Sequence, residues 1–137
     1  NIFTVLLNSN DQLLVEDDYL ELNRLREEAK KFLNNNGDGS CDYCDGAYRD
    51  PRSSDNPDKA VISLQNDRGT SYNMYLLVQN ELMAAITELR AEYCDRKYGM
   101  DYAKLDPNDE GDKEILEEVR DAYPQKISEA EPLNIGG

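Results

Sequence analysis

The sequence predicts an α/β fold, a two-layer sandwich in which helices cover one face of a small mixed sheet. Three observations predict it. Short β-rich runs stand near the start, in the middle and near the end of the chain. Apolar stripes at helical spacing separate them. The resulting order is strand, strand, helix, strand, helix, helix, strand, and a strand that returns beside another after a helical connection implies a crossover with the helices on one face.

The first run, "IFTVLLN", is apolar and rich in β-formers; "SND" is a turn cluster, and "QLLVE" is a second short strand. Residues Ile2 to Glu16 therefore read as a hairpin. Asp18 and Glu21 then form a D-x-x-E start signal resembling a capping box, followed by Leu22, Leu25, Ala29 and Phe32 at spacings of three and four. This predicts an amphipathic helix ending near Leu33. Residues 34–58 concentrate Gly, Pro, Ser, Asn and Asp without an apolar period, which predicts a flexible, acidic surface loop that tolerates substitution.

A third strand is expected at Ala60 to Gln65, "AVISLQ". Beyond the turn "NDRGT", Thr70 or Ser71 can cap the longest helix, whose stripe runs Tyr75, Val78, Leu82, Ala85, Ile86, Leu89, Tyr93. Gly99 is its expected stop. The stripe is not a strict heptad, so packing against the sheet is favoured over a coiled coil. A third helix is expected from about Asp112 to Tyr123, with Ile115, Leu116, Val119 and Ala122 inward and Pro124 beyond its end. "QKISEAE" alternates like a final or edge strand.

Composition narrows the function. The chain has 137 residues, one domain's worth, with 39% hydrophobic and 32% charged residues. Its net charge of -14 argues against nucleic acid and anionic membranes and favours a basic protein segment or a cation. Histidine is absent, which removes the commonest general base, metal ligand and pH switch. No apolar run approaches the roughly 18 residues of a membrane span. Because the chain opens at Asn1 without Met, it is expected to be a processed form or a piece of a longer protein.

The segment "NNNGDGSCDYCDG", Asn34 to Gly46, is the one that resembles a chemical site. As a calcium loop it would use Asn34, Asn36, Asp38, Asp42 and Asp45, with Gly39 at the turn, but its first ligand is neutral and its last is a short Asp. Zinc would find only Cys41 and Cys44 nearby, so no metal or other cofactor is expected. Asp42 and Asp45 flank the two sulfurs and raise the thiol pKa, which argues against a thioredoxin-like pair. The plain alternative is an acidic loop with a short Cys41 to Cys44 disulfide in an oxidising compartment. Glu117 and Glu118 are a pair of carboxylates, but neighbours on a helix point apart, and a solvated face is expected there.

Three stretches carry a family resemblance. "VISLQNDRGTSYNMYLLVQNELMAAITELR", Val61 to Arg90, resembles the strand, turn and long helix at the centre of the periplasmic domain of ExbD, the biopolymer transport protein related to TolR. "TVLLNSNDQLLVEDDYLELNRLREEAKKFL", Thr4 to Leu33, looks like that domain's first hairpin and helix, and "YPQKISEAEP", Tyr123 to Pro132, resembles its close in the long, acidic members. Together they cover about half of the chain in the family's order. The Cys-bearing loop and the Glu92 to Asp121 insertion depart from the compact members, so nothing about them transfers.

The resemblance implies a single periplasmic domain over residues 1–137, part of an inner-membrane motor in which ExbD works with ExbB and uses the proton gradient to drive TonB-dependent uptake across the outer membrane. The family's proton-handling aspartate lies in a transmembrane helix that would precede Asn1, so no acidic residue here inherits its role. The implied partners are ExbB-like and TonB-like proteins and a second copy of the chain, engaged through sheet edges and without catalysis. The strand expected at Lys126, Ile127, Ser128, Glu129, Ala130 and Glu131 is the candidate partner-binding edge. A calcium-binding or other secreted interaction module is the alternative.

Overall fold

A computed structural model of the chain describes residues 2–37, 39–44 and 53–129. Five strands form one sheet in the order β3-β2-β1-β4-β5. The strands are β1 (Ile2–Leu7), β2 (Leu13–Val15), β3 (Asp18–Tyr19), β4 (Val61–Asn66) and β5 (Ile127–Glu129). The β1–β2 and β2–β3 pairs are antiparallel, and β1–β4 and β4–β5 are parallel, so the sheet is mixed. Three helices, α1 (Leu22–Leu33), α2 (Tyr72–Tyr98) and α3 (Glu110–Ala122), pack with it as the two-layer α/β sandwich that the sequence predicts.

Strand alternation decides which face is covered. Phe3, Val5 and Leu7 of β1, Leu13 and Val15 of β2, and Ile62 and Leu64 of β4 are buried, whereas Thr4, Leu6, Leu14, Val61 and Ser63 between them stay partly exposed. Against the buried face lie Leu25, Ala29 and Phe32 of α1, Val78, Leu82, Ala85, Ile86 and Leu89 of α2, and Leu116 and Val119 of α3. These are the stripes expected from the spacing. Phe3 and Phe32 join the layers at a ring separation of 5.0 Å.

Local chemistry sets the ends of α2. Ser71 Oγ accepts a hydrogen bond from Met74 N, and Gly99 closes the helix at φ 62°, the left-handed region in which a Cβ is costly. In α3 the corresponding cap is Asp109, whose side chain accepts from Asp112 N. On the partly buried seam between α1 and α2, Arg26 holds Glu81 at 2.8 Å and Glu88 at 3.2 Å, and Lys30 holds Glu92 at 2.8 Å.

The start of α1 corrects the sequence reading. Asp18 is no part of a capping box: it pairs with Val15 in β3, and Glu21, the residue before the helix, makes no side-chain cap bond. Glu16 and Asp17 form a two-residue turn with φ 50° and 70°, a left-handed pair that hairpins favour because it follows the strand twist. Non-glycine residues there cost about 1 kcal/mol each. Glu16 offsets part of this by binding back to β1, its N–H donating to Thr4 O and its carboxylate accepting from Thr4 N.

Candidate functional site

Two parts of the molecule carry the functional question: the β5 edge, and the end of the helical layer where the Cys-bearing segment docks.

β5 lies at an edge of the sheet, as "QKISEAE" predicts, and is described over Ile127–Glu129. The predicted edge residues Ala130 and Glu131 lie outside the described residues. Ile127 is opposite Ile62, Ser128 opposite Ser63 and Glu129 opposite Leu64. Ile62 N donates to Lys126 O at 2.9 Å. In a parallel ladder of this register the main-chain groups of Ser128 therefore turn toward β4, and those of Ile127 and Glu129 turn outward. The outward edge, unpaired among the described residues, offers an N–H and a C=O at Ile127 and again at Glu129.

Side chains place the same residues differently. Ile127 is half-buried and joins the core, while Ser128 is exposed on the open face. Glu129 reaches back to α2, accepting from Gln79 Nε2 at 2.6 Å. Burial, and then a hydrogen bond to Glu129, push the Tyr75 phenol above its ordinary pKa. Lys126 donates to Asp58 O and lies 3.8 Å from the Asp58 carboxylate. The opposite edge, β3, is two residues long, and Tyr19 there is 68% exposed.

The Cys-bearing segment differs from its expected surface character. Cys41 and Cys44 are joined in a disulfide, and Cys41, Asn35, Asn36, Ser54 and Pro57 are buried. Asn36 Oδ1 accepts from Cys41 N, and Asn34 Oδ1 accepts from Tyr123 OH at 2.8 Å, so two side chains of the calcium pattern are turned to protein donors. Asp38 and Asp45 of that pattern lie outside the described residues. Among the described residues no group of three His, Cys, Asp or Glu side chains is placed to hold a metal.

Tyr43, between the two cysteines, is the residue that sequence reasoning missed. Its ring packs edge-on to Tyr93 at 5.3 Å and to Tyr123 at 5.5 Å, and its hydroxyl donates to Ala122 O at 2.6 Å. Burial pushes its phenol up to about 12. Arg96 donates to Tyr43 O, and Arg90 donates to Tyr123 O. The partners lie tens of residues away in sequence, and no local pattern marks Tyr43.

Glu118 also differs from its expected solvated setting, whereas Glu117 is exposed as expected. Lys97 Nζ and Tyr93 OH each donate to Glu118 at 2.7 Å, and Tyr98 OH donates at 2.6 Å. These three bonds, Lys97 first, hold the carboxyl down at about 2. At neutral pH it is a fixed acceptor joining α3 to α2, with no proton to give. Beside it opens a cleft of about 420 Å³ lined by Asp42, Tyr43, Cys44, Tyr93, Arg96 and Lys97.

No family model matches this chain, and no curated protein matches it.

Proposed function

We propose that this chain is the periplasmic domain of an ExbD-like subunit of a proton-gradient-driven inner-membrane motor that energises TonB-dependent outer-membrane transport. It acts by dimerisation and partner binding rather than by catalysis. The observation that carries the reading is the β5 edge, whose main-chain donors and acceptors at Ile127 and Glu129 face away from β4. An extended segment laid along them gains main-chain hydrogen bonds at fixed spacing, the physical basis of strand addition.

Two further observations support it. The stretches that resemble ExbD coincide with structural units: Thr4 to Leu33 with the hairpin and α1, Val61 to Arg90 with β4, its turn and most of α2, and the close with β5. The net charge of -14 favours a basic partner segment. In this reading the TonB-like segment or a second copy occupies the edge, and ExbB-like contacts belong to the membrane-embedded part of the assembly.

The experiment is an amide-shift titration of the isotopically labelled domain with the periplasmic segment of a TonB homologue. The expected result is a set of shifts centred on Ile127, Ser128 and Glu129 and spreading to β4. Shifts confined to the exposed helical residues Tyr72, Leu77 and Met83 would replace strand addition with a helix-face contact.

A further inference from the structure

We infer that the Cys41–Cys44 pair is a thiol–disulfide exchange site for an external thiol, with Cys44 Sγ as the atom attacked. The two sulfurs sit in different surroundings. Cys41 is 2% exposed, and its backbone N–H is held by Asn36 Oδ1. Cys44 is only half-buried and lines the open cleft with Tyr43, Tyr93, Arg96 and Lys97. An attacking thiolate must approach the sulfur it will bond to along the S–S axis, so access selects Cys44.

In sequence the charged residues next to the pair are the aspartates Asp42 and Asp45. Folding adds cations from far along the chain, because α2 brings Arg96 and Lys97 to the same cleft. Among the described residues Asp42 in the cleft and Glu118, bonded to Lys97, offset them, so their charges are near balance and access decides the choice of sulfur. The third cysteine, Cys94, is fully buried, and burial pushes its thiol pKa up, so it is a poor competitor.

The step balances with a dithiol as reductant. Its thiolate forms a bond to Cys44 Sγ, the Cys41–Cys44 bond breaks, and Cys41 leaves with the electron pair and takes a proton from water. The reductant's second thiolate then attacks its own sulfur in the mixed disulfide, releasing Cys44 as thiolate and leaving the reductant as a disulfide. Two electrons pass to the pair. Once the bond is cut, the 41–44 turn regains the freedom that closure removed, and among the described residues Tyr43 is held by its ring contacts, its bond to Ala122 O and the bond from Arg96. Reduction therefore loosens the docking of Tyr43. This inference does not depend on strand addition at β5.

The test exposes the folded wild-type chain and a Cys94→Ala variant briefly to reduced glutathione, quenches with acid and locates the adduct by tandem mass spectrometry. The expected result is an adduct on Cys44 in about tenfold excess over Cys41, from the difference in access. In parallel, dithiothreitol should reduce the pair at a rate unchanged by low denaturant and alter tyrosine emission, which no Trp obscures. Equal labelling, an adduct chiefly on Cys41, or a reduction rate that rises with denaturant as global unfolding does would each overturn the site. Unchanged tyrosine emission on full reduction would overturn the loosening of Tyr43.

Discussion

The Cys-bearing segment and the β5 edge are both polar in sequence and fold in opposite ways. The segment is tied into the helical layer through Tyr43, with partners on α2 and α3, and is braced within itself by the bond from Cys41 N to Asn36 Oδ1. Among the described residues the edge strand is paired on one side only, and it turns two residues' main-chain groups outward. The difference teaches that polar composition does not report on docking. A single aromatic residue with a distant binding place packs a polar loop against the core, whereas a strand with no further strand beside it among the described residues stays available to a partner.

The core shared by the two regions sets the scale. Leu82 and Leu89 are almost fully buried, and truncating either to Ala is expected to cost about 2 to 5 kcal/mol. Denaturant unfolding measures it. A loss below the lower bound in both would mean that α2 is not the central buried helix.

Tyr43→Ala comes next. Losing a half-buried ring from a three-tyrosine cluster is expected to destabilise by about 2 kcal/mol, and Tyr43→Phe, which loses only the bond to Ala122 O, by about 1 kcal/mol. Read from composition, the same loop would tolerate both changes. A melting temperature unmoved by Tyr43→Ala would erase the contrast between loop and edge.

A smaller effect appears in acid. The Glu118 carboxyl titrates at about 2 in the folded protein against an ordinary 4.5, so its contribution is fully present above 4.5 and is lost as the pH falls from there toward 2. Its side chain is 34% exposed, and solvent screening reduces the expected loss to about 1 kcal/mol. Thermal melts at pH 7 and pH 3 should show the wild type losing more stability than Glu118→Gln. Equal losses would remove Glu118 as the tie between α3 and α2.

These regions also show which parts of the structure the sequence carries. α2 is legible because its determinants are local: a continuous stripe, a serine cap at one end and a left-handed glycine at the other. β5 is legible as a strand from its alternation and its place after Pro124. β3 is hidden because its turn uses Glu16 and Asp17 where Asn-Gly would have announced a hairpin, and Asp18 and Glu21 imitate a cap. Tyr43 is hidden for another reason: its hydroxyl partner lies 79 residues further along the chain. The register of β5 is likewise a property of pairing, and only the structure shows that position 128 faces the ladder while 127 and 129 face outward.

That register dictates the most direct test of the β5 edge as the partner surface. Proline at 128 would break the ladder with β4, whereas Glu129→Pro removes an outward N–H and leaves the inner bonds in place. Glu129→Ala controls for the lost contacts to Gln79 and Tyr75, and Ser128→Ala for a side chain that strand addition does not use. Binding of the TonB-homologue segment is measured by calorimetric titration on all three, with folding verified by circular dichroism. The predicted result is affinity about tenfold lower for Glu129→Pro than for Glu129→Ala, the value of one main-chain hydrogen bond, with Ser128→Ala binding as wild type. Equal affinities for folded Glu129→Pro and Glu129→Ala would contradict strand addition at β5.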